Sequence, residues 1–318
     1  MARPAGVRQD QPVTTRGWVL FWAMALIWGV PYFFISVAVD ELAPSVVVWG
    51  RTSLAAAALL VVARRRGALR PALARWRPVA AFAILEMAIP WILLTTAEQH
   101  VASGLAALII SAVPIFGGIA AFVLGDRSAL HPTRVLGIAV GIGGVALLVG
   151  NDLSGDGAPP WWSIVFVLVV CVCYATAPFI VTRRLADVPS IGVIALSLGI
   201  NTVIYTPIAA AALPEHVPSA EALLAVLGLA TICTGIAFVV FFRLIDEIGA
   251  ARATVITFVN PVGAVVLGTV FLDEDLTVAV GIGFATVLVG CLLATRQTTG
   301  PAPRPATPAA EVTADAAS

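Results

Sequence analysis

The sequence predicts an all-α, polytopic membrane protein with ten transmembrane helices in two inverted five-helix repeats, and three observations predict it. Hydrophobic residues make up 60% of the 318 positions and charged ones 11%, with a mean hydropathy of +1.00, far from the balance of a soluble domain. The second observation is an internal repeat. Ala102-Ser103-Gly104-Leu105-Ala106 leads into an apolar segment broken at Val113-Pro114 and ends on Gly137 and Gly144. Gly249-Ala250-Ala251-Arg252-Ala253 leads into a segment broken at Asn260-Pro261 and ends on Gly283 and Gly290. A shift of 147 residues superposes the two prolines, so the chain is two similar halves. The third observation is charge: the link from Gly125-Asp126-Arg127 to Arg134 carries arginines, whereas Leu272-Asp273-Glu274-Asp275 carries only acids. Equivalent loops of opposite charge belong on opposite sides of a membrane, which turns one half upside down relative to the other.

Residues 1–16 form a polar tail with Arg3, Arg8 and Arg16 ahead of a long apolar run without a small-residue cleavage site, the pattern of a retained signal-anchor. The first repeat occupies 17–150, with spans at Gly17 to Val37, Ser45 to Val62, Pro78 to Thr96, Val101 to Leu124 and Val135 to Val149. Each is close to the length of a bilayer crossing. Residues 151–160 are a polar, Gly/Pro-rich connector. The second repeat, 161–296, has spans at Trp161 to Thr182, Ile191 to Leu213, Ala220 to Phe242, Gly249 to Phe271 and Thr277 to Ala294. The remaining 297–318 are rich in Pro, Ala and Thr, have no apolar period and read as a disordered tail.

Arginines set the orientation. With a cytoplasmic N-terminus, the inner side holds the tail arginines, the six from Arg64 to Arg77, Arg127, Arg134, Arg183, Arg184, Arg243, Arg296 and Arg304. The outer loops hold none, and carry Asp40, Glu41, Glu98, His100, Asp152, Asp156, Glu215, His216 and Asp273 to Asp275. This asymmetry places both termini in the cytoplasm, and the all-arginine, Ala/Val-rich composition suggests a bacterial membrane.

Trp28-Gly29 in the first span, Arg51 in the second, the two proline-broken segments and the glycine pairs Gly137/Gly144 and Gly283/Gly290 make the chain, over residues 17 to 295, resemble the EamA family of the drug/metabolite transporter superfamily. The resemblance implies a plasma-membrane carrier, commonly an exporter of amino acids, metabolites or toxic compounds, working by alternating access. Its motifs are small and apolar residues at helix positions, so they bear on fold far more than on substrate.

Ionisable groups at bilayer depth are costly and therefore functional candidates. Glu86 is the one carboxylate well inside a span, one turn before Pro90. It suits a proton-coupling or amine-binding group, and equally a protonated or paired acid that fixes packing. Arg51 lies roughly 10 Å and Glu86 roughly 15 Å below the same surface, which leaves a pair within an arginine's reach; alternatively Arg51 snorkels or caps helix-end carbonyls. Asn201, Thr257, Asn260, Thr231, Thr234, Trp28, Tyr32 and Trp91 are weaker candidates for a cavity lining. Asn260 is the best of them because Pro261, like Pro114 in the first half, breaks the helix and frees backbone groups. Arg252 reads as an interfacial anchor.

The glycine faces suit packing between the repeats' terminal helices, with a homodimer as the alternative. The four cysteines read as small hydrophobes, without disulfide or metal spacing. There is no P-loop, HExxH or GxSxG, so neither ATP-driven transport nor hydrolase chemistry has support, and no cofactor is expected. Net charge is zero, giving no sign of nucleic acid; the expected partners are membrane lipid and a small solute. The competing classes are a secondary carrier, a membrane receptor or scaffold without turnover, and a lipid or polyprenyl-phosphate translocase.

Overall fold

Capping and proline placement start most of the helices in the computed structural model, which describes residues 14–125, 131–152, 158–248, 256, 259–274 and 277–295. Thr14 accepts a hydrogen bond from the Gly17 N–H (2.9 Å) and opens α1, Thr15–Val39. Helix α2, Pro44–Arg65, begins on a proline whose missing N–H costs nothing in the first turn and ends on Arg64 and Arg65. The arginine-dense link is not all loop, since it holds a short helix α3, Leu69–Ala74. The third span is α4 (Trp76–Ala83), one π-helical turn (Ile84–Ala88) and α5 (Ile89–Ala97).

The fourth span is split as its proline predicts, into α6 (Ser103–Ile110) and α7 (Val113–Val123), and α8 (Pro132–Asp152) completes the first half. In the second half α9 (Trp161–Arg184) and α10 (Ser190–Ala210) are continuous. The eighth span is α11 (Ala220–Ala230), a second π-helical turn (Thr231–Ile236) and α12 (Ala237–Ile248), which runs beyond the expected end at Phe242. Helix α13 (Asn260–Phe271) is the described part of the ninth span, and α14 (Val278–Thr295) is the tenth. Thr257 and Arg252 lie outside the described residues.

Among the described residues nine helices are long and apolar enough to cross a membrane, with α13 a shorter apolar helix, and none of those residues is in a strand. The main core joins α1, α2, α5, α6, α9 and α11 through Ile35, Val47, Leu94, Ile109, Val167 and Leu229. A second cluster packs α2, α4 and α10 through Leu59, Val79 and Leu198. The outward faces carry exposed apolar side chains such as Val19, Leu26, Val203 and Phe271, the surface lipid requires.

Helices α8 and α14 make the most extensive pairing among the described residues. A Cβ on Gly144 would meet the Val287 nitrogen at 2.7 Å and the Gly283 carbonyl at 3.0 Å, and one on Gly137 would meet Gly290 and Ala294 backbone. The two glycine faces thus meet each other within one chain.

Polar contacts tie the halves together at both ends of the bundle. At the arginine-bearing end, Arg75 pairs with Asp187 at 3.1 Å and donates to the Arg184 carbonyl, while Arg16 approaches Glu247 at 3.8 Å. At the acidic end Glu41 accepts from the Ser219 N–H at 2.7 Å. There too Glu274 accepts from the Ser103 and Gly104 N–H groups at 2.6 and 2.9 Å.

Candidate functional site

Arg51 sits on α2 with 8% of its surface exposed, among helices of both repeats. Its Nε donates to the Thr234 hydroxyl at 2.9 Å, and its guanidinium carbon lies 3.7 Å from the centre of the Trp91 ring. Thr234 is prepared for this role, because its own proton goes to the Leu229 carbonyl (2.8 Å), leaving a lone pair turned to the guanidinium. Cation–π contact with a desolvated indole compensates part of the cost of burying the charge. Tyr32, Tyr174 and Glu98 are the surrounding polar groups within electrostatic reach of Arg51. No described residue hydrogen-bonds the two terminal guanidinium nitrogens, which leaves the fork that suits a carboxylate or phosphate free.

One residue of this site, Thr234, lies in a π-helical turn that has a counterpart in the other repeat. Ile84–Ala88 and Thr231–Ile236 begin 147 residues apart, the period of the sequence repeat, so the same irregularity occurs at equivalent places in the two halves. Such turns widen the hydrogen-bond ring and re-aim side chains. The second turn aims Thr234 at Arg51. The first carries Glu86, half-buried, with Oε2 lacking any hydrogen-bond partner. Tyr205 donates to the Ala88 carbonyl at 2.8 Å, closing that turn against α10.

Glu86 and Arg51 do not form the ion pair their depths allow; the ion pairs among the described residues are Arg16–Glu247 and Arg75–Asp187. Thr234 holds the guanidinium through Nε and Trp91 through its face, in place of that pair.

The structure therefore brings Arg51, Trp91, Thr234 and Tyr32 together and leaves Trp28, Asn201 and Asn260 apart. Trp28 packs on Phe241, ring centres 4.7 Å apart. Asn201 is fully buried, donates to the Ser197 carbonyl of its own helix and leaves its Oδ1 without a partner. Asn260, oriented so that its nitrogen faces acceptors, donates to the Ala25 and Ile256 carbonyls (3.2 and 3.0 Å), which occupies it in joining α13 to α1. Pro114 and Pro261 lie in the first turns of α7 and α13. The sequence gives Tyr174 no signal, because a single tyrosine in an apolar helix is unremarkable until its neighbours are known.

Glu98 is the second residue missed. Expected in a loop, it lies one residue beyond α5 with 6% of its surface exposed, and neither carboxylate oxygen has a hydrogen-bond partner. Burial pushes its carboxyl well above the ordinary carboxylate range, Glu274 adds to the rise and Arg51 opposes it.

A helical bundle of this length and apolarity, irregular at matching places in two repeats and centred on a buried, partly unfilled guanidinium, defines a multi-pass membrane protein of two-repeat architecture. The model of the EamA-like transporter family matches residues 15–150 and again 161–296, and the chain belongs to that family. It is 32% identical over 276 residues to the uncharacterized inner membrane transporter YedA of Escherichia coli K12, covering 84% of this chain and 88% of that protein. It is 26% identical to a probable terminal-alkyne amino-acid exporter of Streptantibioticus cattleyicolor, covering 88% of this chain and 94% of the other. A protein crystal structure superposes with a TM-score of 0.62 at 21% identity, over 88% of this chain and 96% of that one, a likeness of fold.

Proposed function

We propose that the chain is a secondary-active transporter that exports small metabolites or amino acids by alternating access, multi-pass in a bacterial cytoplasmic membrane with both termini cytoplasmic. The observation that carries the reading is Arg51, held by Trp91 of one repeat and Thr234 of the other with its donor fork free. A solute carboxylate on that fork would contact both repeats at once, so its arrival and departure bear on how the halves sit against each other. Glu86, in the π-helical turn of the first repeat, is our candidate for the solute's amine or the coupling proton. The name of the Streptantibioticus relative agrees with a carboxylate-bearing solute.

The test is uptake of a labelled amino-acid panel by liposomes holding the purified protein, under an imposed pH gradient. Wild type should accumulate at least one compound, Arg51→Gln should not, and Glu86→Gln should exchange solute without pH-driven accumulation. A protein that moves no member of the panel would sink the reading.

One observation favours a lipid substrate instead. A groove of about 570 Å³ opens on the side of the bundle, lined by Leu85, Phe116, Val172 and Phe179 with Arg183 and Arg184 among its lining. A fluorescent-lipid flip assay on the same liposomes separates the two, since only a translocase would move the lipid while leaving amino acids in place.

A further inference from the structure

We propose that Glu98 is a proton-binding carboxylate that controls a latch between the repeats, the latch being Glu274 seated on the N-terminus of α6. The seat is shaped for a carboxylate. Glu274 follows α13 of the second repeat; Asp273 ahead of it takes a positive φ of 53°, and the Glu274 N–H donates back to the Gly268 carbonyl at 3.2 Å. That turn delivers the side chain to the Ser103 and Gly104 N–H groups of the first repeat, 2.6 and 2.9 Å away. A Cβ on Gly104 would meet the Glu274 carboxylate at 2.9 Å, and one on Gly268 would collide with it, so both glycines leave room for it. Charge-assisted bonds to free helix-end donors make this a strong contact for an anion.

Glu98 lies on the short link between α5 and this same seat. It is more than nine-tenths buried with both oxygens unpartnered, an arrangement stable for a neutral acid and costly for an anion. The charged groups facing it are Glu274, which disfavours its ionisation, and Arg51, which favours it; Tyr32 is its further titratable neighbour. His100, two residues on, turns its ring to Trp162, centres 5.0 Å apart.

The consequence follows from charge alone. With the proton on Glu98, no negative charge is buried behind the seat and Glu274 keeps it. When that proton leaves to water, two carboxylates share one apolar site, and the anion on Glu98 is relieved only by hydration, which opens the acidic end of the bundle. In the alternating-access reading, on which this inference rests, protons from the acidic-loop side close that end and proton loss opens it.

Amide hydrogen exchange of the full-length protein in nanodiscs tests this without any solute. The reading is taken on the peptide containing Ser103 and Gly104, corrected for the intrinsic pH dependence of exchange. In wild type the open population should rise with pH by up to about tenfold per unit, the limit for release of one proton. Glu98→Gln should stay protected with no pH slope. Glu274→Gln, which weakens the seat and removes the repulsion but leaves Glu98 buried, should be less protected, with a rise that levels off at lower pH than in wild type, and serves where Glu98→Gln fails to fold. His100→Gln should keep the wild-type profile. A wild type without slope, a slope that survives in Glu98→Gln, a slope that disappears in His100→Gln, or a rise in Glu274→Gln that levels off no lower than in wild type overturns the proposal. Absence of transport with the exchange profile intact would count against the transporter reading and leave the latch standing.

Discussion

A guanidinium at bilayer depth needs compensation, and Arg51 draws it from an aromatic face and a hydroxyl where the sequence offers a carboxylate as well. Thr234→Val removes the acceptor of the Arg51 Nε–H while conserving shape, so it should cost about 1–3 kcal/mol, the penalty of a stranded buried donor, read as a lower melting temperature. Glu86→Gln strands no arginine and should leave that temperature unchanged or raised, since it removes a carboxylate one of whose oxygens is buried without a partner. A fall as large as that of Thr234→Val would mean that Glu86 has a partner after all. Glu98 adds a pH dependence whose sign can be worked out. Its carboxyl titrates higher folded than unfolded, so the folded state binds more protons between the two values and stability falls as pH rises through that window. Glu98→Gln should flatten this fall in thermal melts taken across it. Glu86 and Arg51 were legible because a charge inside an apolar run stands out in one dimension. Glu98 was not: it follows the run Ile89–Ala97 like any loop acid, and its burial comes from chain segments far away in sequence.

At the scale of elements, prolines were legible and π-helical turns were not. Pro114 splits the fourth span where expected, and two cysteines cover the backbone near the break: Cys291 Sγ reaches the Ser111 carbonyl at 3.3 Å and Cys171 Sγ the Ile109 carbonyl at 3.5 Å. The cysteines are buried as small hydrophobes would be, yet they also act as weak donors at a helix break. Pro90 follows the π-helical turn at Ile84–Ala88, but no proline follows the one at Thr231–Ile236, so residue type alone does not specify it. Its visible support is tertiary, through Arg51 on Thr234. The glycine seam between α8 and α14 was legible as a face but not as a partner choice. Gly144→Leu should therefore act within the monomer, forcing the Gly283 and Val287 backbone away at a cost of about 1–3 kcal/mol, with no change of mass in light scattering. A changed oligomeric mass with unaltered melting would return the seam to a dimer interface.

Across the whole molecule, the structure groups the loops by end, and charge then gives the grouping a direction. Arg75 with Asp187 and Arg184, and Arg16 with Glu247, join the arginine-bearing segments at one end; Glu41 with Ser219 and Glu274 with Ser103 join the acidic loops at the other. These contacts are individually modest, and the exposed ion pairs contribute little to stability. Their value is topological, because a segment on the wrong side of a bilayer could make none of them. The excess of arginine in short loops, six of them between Arg64 and Arg77 and two more at Arg183 and Arg184, is the ground for expecting that end in the cytoplasm. We predict that tags at residues 10 and 305 report the cytoplasm, and that tags beside Asp156 and Glu215 report the exterior. One tail tag and one acidic-loop tag on the same side would imply an even number of crossings between them and overturn the pairing of the repeats. All four reversed would keep the fold, send the acidic latch to the cytoplasmic side and turn the proposed exporter's proton-sensitive end inward. The arginine distribution opposes that outcome, and shifting two arginines into the Glu215 loop should begin to produce it if charge is what orients the chain.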